Sequence, residues 1–174
     1  MTAGVRRQYS ARYDMGRLTE ELDRLFDRAD ELDRGSEIAG DINRYLCVRV
    51  SGLLEQSILM LGRSAVEAHS YGIGQQFGLS WLERAPNPSK VEIVKFVGRF
   101  SSCWADELTA LLKDDERGTR LNSLIGIRND VAHGKNQGVS LMQARGYYEL
   151  VREVIDWVAD RLEPKAGMSA ASTP

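Results

Sequence analysis

The sequence predicts an all-α fold, a single-domain antiparallel helical bundle of about five helices. Apolar residues recur at three- and four-residue spacing almost throughout, and no stretch alternates in the two-residue period of a half-buried strand. The four prolines, Pro86, Pro88, Pro164 and Pro174, leave long segments in which helices can run unbroken. At 174 residues the chain has the size of one domain, able to bury roughly two-thirds of its unfolded surface.

The elements follow in order. Residues 1–15 read as a basic arm and residues 17–34 as an amphipathic helix whose apolar side is Leu18, Leu22, Leu25, Phe26 and Leu32. From Ser36 to Ser70 a long helix carries Ile42, Leu46, Val50, Leu53, Leu54, Ile58 and Leu61, the pattern of a central bundle helix. "YGIGQQFGLS" then interrupts the periodicity with three glycines. Its GxG is no phosphate loop, because it follows a helix and no βαβ unit surrounds it. Ser89 with Glu92 forms a capping box that starts a helix running through Trp104 to Leu112.

"KDDERG" connects to the next helix and places acids in its first turn; that helix carries Leu121, Leu124, Ile125, Arg128, Val131 and Ala132. Gly134 should end it as a left-handed cap, before a polar loop. Ser140 with Gln143 is a second capping box, and Tyr147, Leu150, Val151, Val154, Ile155, Val158 and Leu162 mark a last long helix stopped by Pro164. The helical domain thus spans 16–163, with a disordered tail over 164–174. No internal repeat and no second domain is evident.

Composition narrows the function. Lys plus Arg number 23 against 25 Asp plus Glu, a net charge of -2, so any hold on nucleic acid must come from a local patch. No apolar run approaches the roughly 18 residues of a membrane span and no signal-peptide core follows the N-terminus, which points to a soluble, cytoplasmic protein. Cys47 and Cys103 have no CxxC or histidine partner and read as reduced thiols packed inside helices, with no metal site and no cofactor implied.

The chemistry-bearing residues gather in "GIRNDVAHGKN", residues 126–136. Arg128 lies four and seven residues beyond Leu124 and Leu121, so it leaves from the apolar stripe. A buried guanidinium costs several kcal/mol unless paired. It therefore needs an acid such as Glu55, a polar cleft, or a second subunit across the stripe. His133 lies about 140° around and 7.5 Å along from Arg128 on an ideal helix. A helix-end site or a dimer site accommodates both residues better than a mid-helix pair.

At these residues the sequence resembles the HEPN family, and its RiboL-PSP-HEPN branch in particular. "RNDVAH" looks like the Arg-polar-x3-His signature of that family, placed near a helix end before one last long helix, with "YLCVRVSGLLEQSI" upstream on the central helix. The resemblance implies a metal-independent endoribonuclease acting as a toxin or antiviral effector on an RNA substrate. Arg128 and His133 would be the catalytic pair and Asn129 the polar residue that places them. It also implies a homodimer whose two pairs face one cleft, and an antitoxin or defence-system protein as a further partner. Where some family members carry a modifiable tyrosine, two positions after the histidine, this chain has Lys135. Lys135 could hold a neighbouring phosphate in RNA or complement the negative end of a helix.

Other candidates carry less. His69 has no acid or cysteine at metal spacing and reads as structural. Trp81, Trp104 and Trp157 fall within helical apolar periodicity and read as core. Arg6, Arg7, Arg12 and Arg17 either extend an RNA path or form a solvated arm. Two functions of different class remain: the endoribonuclease, and a non-catalytic helical module that holds RNA, a nucleotide or a partner protein in the same cleft.

Overall fold

The computed structural model describes residues 11–33, 35–83 and 89–163. The expectations for Arg6, Arg7, Pro164 and the tail lie outside these. The described residues form seven α-helices: α1 Ala11–Asp30, α2 Glu37–His69, α3 Gly72–Leu82, α4 Lys90–Gly98, α5 Ser102–Lys113, α6 Arg117–Ala132 and α7 Leu141–Leu162. The all-α bundle is as the periodicity requires, and the caps account for most boundaries. The hydroxyls of Ser36, Ser89 and Ser140 each accept a hydrogen bond from the backbone N–H three residues on. In the two capping boxes the reciprocal side chains are engaged elsewhere: Glu92 pairs with Lys95, and Gln143 donates to Tyr147.

Three differences from the sequence reading have identifiable causes. The glycine-rich stretch does interrupt the helix, at Ser70 and Tyr71, but from Gly72 it is itself a helix, α3. Gly72 takes φ +60° to turn the chain out of α2, and a Cβ on Gly78 would come within 2.9 Å of Val66 Cγ1. Glycine here serves close helix packing. The segment expected as one helix from Ser89 to Leu112 is two, because Ser101 accepts from the Trp104 N–H and starts α5 anew. At Gly98 the pieces fold back closely, where a Cβ would meet Ala105 at 3.2 Å. Finally, α1 begins at Ala11, with Ala11 and Met15 buried, so the last third of the expected arm belongs to the bundle.

The long helix α2 is the axis, packed against α1, α3, α6 and α7. Leu46, Val50, Leu54 and Leu61 are fully buried along it, as are Phe26, Leu121, Leu124, Val151, Val154 and Val158 on its neighbours. Side-chain pairs fix the directions. Arg12 at the start of α1 binds Asp160 and Glu163 at the end of α7, and Asp30 at the end of α1 binds Arg145 near the start of α7. α1 and α7 are therefore antiparallel. Arg120 and Arg117 of α6 reach Gly146 and Glu153 of α7, so these two are antiparallel as well. The start of α7 lies beside the start of α2, where Asn43 Nδ2 donates to the Val139 carbonyl at 3.0 Å. The α2 and α7 helices thus run in the same direction, with α1 and α6 opposed to both.

Between α1 and α7, Tyr148 stacks on Phe26 at 5.1 Å and its hydroxyl donates to Asp23 at 2.7 Å. Burial first, and Asp23 second, push the Tyr148 hydroxyl above its ordinary pKa. Burial likewise raises the Cys47 thiol to about 11, while Cys103, expected inside a helix packing face, is exposed beside Glu107. The three tryptophans pack half-buried against the core, and Trp81 and Trp157 lie under the guanidinium groups of Arg99 and Arg161.

Two substitutions test this core. Leu54→Ala, at a fully buried site, should lower the unfolding free energy by about 2–5 kcal/mol, whereas Met142→Ala, at an 82 % exposed site, should change it by less than about 0.5 kcal/mol. Ser57 is fully buried and its hydroxyl has no hydrogen-bond partner among the described residues. Ser57→Ala should therefore raise stability by about 1 kcal/mol; a loss of stability in urea titration would mean that the hydroxyl is bonded.

Candidate functional site

The helix that carries the candidate residues begins under strain and ends under tight control. Lys113 is followed by a single 3-10 turn, Asp114–Glu116, in which Asp115 and Glu116 adopt φ 49° and 52°. The acids expected in the first turn of α6 sit in this turn ahead of it. Asp114 and Glu153 instead receive the Arg117 guanidinium at the start of the helix. Gly118 is required where the two segments meet, since a Cβ there would lie 2.8 Å from the Leu112 carbonyl oxygen. From this anchor α6 buries Leu121 and Leu124, and the same stripe reaches the surface at Arg128.

Arg128 is half-buried, and its Nη1 donates to Asn129 Oδ1 at 3.2 Å. Among the described residues it makes no ion pair, and Glu55, the acid weighed as its partner, is not bonded to it. The arginine on the stripe is accommodated within one chain because the stripe ends in solvent one turn past Leu124. Asn129, expected to place the pair, does contact the arginine.

His133 is the C-cap of α6, at φ -94° and ψ 13°. Its N–H donates to the carbonyls of Asn129 and Asp130 at 3.0 and 3.2 Å, and its imidazole is exposed with no hydrogen bond among the described residues. Beyond it Gly134 turns at φ +73°, its N–H bonding the Val131 carbonyl at 3.0 Å, while the Lys135 N–H bonds the Asp130 carbonyl at 2.9 Å. These are the two bonds of a Schellman ending, which only glycine adopts without a Cβ penalty. The structure brings Arg128 and His133 to the last turns of one helix but forms no bond between them.

Lys135 is not a free cation. Its Nζ donates to Asp130 Oδ1 at 2.9 Å, and Gln137 Nε2 donates to the other oxygen of the same carboxylate. The Lys135 hydrogen bond is the main reason the Asp130 carboxyl is held below its ordinary value; partial desolvation opposes it, while Gln137 and the charges of Lys135 and His133 reinforce it. The loop itself is tied to α2, since Arg44 donates to the Gln137 carbonyl at 3.3 Å and Asn43 to that of Val139. Sequence reasoning missed Asp130, Gln137, Asn43 and Arg44. Only the first had a legible signal, an acid five residues before a lysine across a helix-ending glycine.

Elsewhere the candidates are structural. His69 Nδ1 lies 2.9 Å from the Ala65 carbonyl oxygen near the end of α2. Arg12 ties α1 to α7. Among the described residues no group of three or more His, Cys, Asp and Glu side chains could hold a metal ion, and no helix is long and apolar enough to cross a membrane.

Asp130→Asn should loosen this helix end. Because the folded carboxyl is held below its ordinary value near 3.8, the clasp contributes above that pH and is lost as pH falls through the folded value. Amide exchange at Gly134 and Lys135 should therefore be faster in Asp130→Asn at neutral pH. In the native chain it should quicken only below about pH 4. Equal exchange in the two proteins would remove the clasp from the account.

No family model, curated protein or solved structure matches the chain, so the likeness to the HEPN signature stands on the residues of the α6 end themselves.

Proposed function

We propose that the α6 end is the active site of a metal-independent endoribonuclease of the HEPN type, acting in the cytoplasm as a toxin or antiviral effector. One observation carries the reading: a half-buried arginine that, among the described residues, makes no ion pair and is contacted by Asn129 shares a helix end with an exposed histidine whose ring has no hydrogen bond among them. A permanent cation with no acid bonded to it among the described residues, placed where the stripe meets solvent, suits an incoming phosphate, whose oxygens match the guanidinium fork. An imidazole can exchange protons with a ribose hydroxyl.

In the reaction the 2′-oxygen attacks the adjacent phosphorus as its proton passes to the His133 imidazole. The bond from phosphorus to the 5′-oxygen breaks, and the leaving oxygen takes up a proton from water. Arg128 stabilises the charge on the phosphoryl oxygens, and the products are a 2′,3′-cyclic phosphate and a 5′-hydroxyl. Lys135 holds Asp130 in this account and is not assigned to the RNA. A homodimer, and an antitoxin or defence protein that restrains or triggers it, complete the proposal.

His133→Ala and Arg128→Ala should each slow cleavage by on the order of 10² or more, with circular dichroism unchanged. Cleavage by the native protein should persist in excess EDTA. It should stop when the nucleotide 5′ to the cut is 2′-deoxy. Equal cutting of the deoxy substrate would make water the nucleophile and end this mechanism. RNA that is bound but never cut would give the site to the non-catalytic module.

A further inference from the structure

The α3 helix packs on α2 through Gln75, Gly78, Leu79 and Leu82 and turns Ile73, Gln76, Phe77 and Ser80 to solvent. Its outward side is uncharged and carries three large apolar residues: Tyr71 at the N-cap is 91 % exposed, Ile73 86 % and Phe77 74 %. Ile73 and Phe77 are one turn apart on this side, and the row ends before Trp81, which is half-buried under the Arg99 guanidinium. Every other described α-helix carries charge, yet no Asp, Glu, Lys or Arg occurs between Ser70 and Leu82.

We propose that this face is a self-association surface, on which α3 of a second copy is seated across a two-fold axis. Residues near such an axis meet their own copies, so any charge there would face its like. A neutral face is what that position demands. Tyr71, Ile73 and Phe77 together offer on the order of 500 Å², a large part of the ~800 Å² that each partner contributes to a standard interface. Helices that lie on membranes carry Lys and Arg along their polar side, and α3 has neither. Gly74, with nothing within 4 Å of where its Cβ would be, leaves a gap on the outward side between Ile73 and Phe77.

The surface is separate from the α6 end. Gly78 of α3 lies against Val66, whereas the loop after His133 is bonded to Asn43 and Arg44. Along α2 these points are about 33 Å apart. Association through α3 thus leaves Arg128 and His133 open to RNA or to a contact of their own, and the inference does not rest on the nuclease reading.

Sedimentation velocity of the native chain at micromolar concentration, beside Phe77→Glu and Phe77→Lys, tests it. Each variant should halve the native mass, and mixing the two should restore it, because glutamate then faces lysine across the axis. Should Phe77→Glu lose helicity, Ile73→Lys gives the same reading. A native mass of one chain, or a mass unaffected by these variants, overturns the proposal. So does flotation of single native chains with phosphatidylglycerol vesicles that Phe77→Glu abolishes, which assigns the face to a membrane.

Discussion

The burial of α2 is the interaction on which the rest of the structure depends. Leu46, Cys47, Val50, Leu53, Leu54, Ser57, Ile58 and Leu61 cover too much of its circumference for one neighbour to hide, so α1, α3, α6 and α7 surround it. Glycine lets α3 and the Phe96 ring of α4 come close to it: a Cβ on Gly78 would lie 2.9 Å from Val66, and one on Gly62 would lie 2.5 Å from Phe96. The hydroxyl of Ser57, unbonded among the described residues, is tolerated in the middle of this packing at a cost of about 1–3 kcal/mol.

Around that axis, polar contacts are concentrated at the helix ends. Arg12 with Asp160 and Glu163, Arg145 with Asp30, and Arg117 with Asp114 and Glu153 join termini of neighbouring helices. Glu153 is the exception, lying mid-way along α7; exposed pairs of this kind add little stability each, but together they fix direction and register. The α6 end is the most elaborate case. Asp130 holds the loop that follows, α2 holds the far side of that loop, and the Schellman ending sets the backbone at His133. The backbone of His133 is held at this C-cap, while its exposed ring makes no hydrogen bond among the described residues.

Much of this was legible in the chain. The periodicities of α2 and α7 placed their buried residues, and Ser89 and Ser140 marked helix starts, because an N-cap hydroxyl acts within three residues of itself. The left-handed Gly134 and the position of His133 at the end of α6 were legible for the same reason. Arg128 could be placed on the stripe but not given a partner: the stripe's neighbours in sequence do not reveal where it meets solvent.

The sequence by itself determined what depends on neighbours within one or two turns, namely the helical class, the caps, the buried faces and the joint placement of Arg128, Asn129 and His133 on one helix end. Only the tertiary structure decided what depends on distant segments coming together. The glycines of α3 read as a break until Gly78 was seen against Val66, and Lys135 read equally as a phosphate contact or a helix-end charge until the turn at Gly134 brought it to Asp130. The hold of Asn43 and Arg44 on residues more than ninety positions away has no local signature at all. Glycine and charge are ambiguous in sequence because their roles are set by the atom that approaches them, and that atom is chosen by the packing around α2.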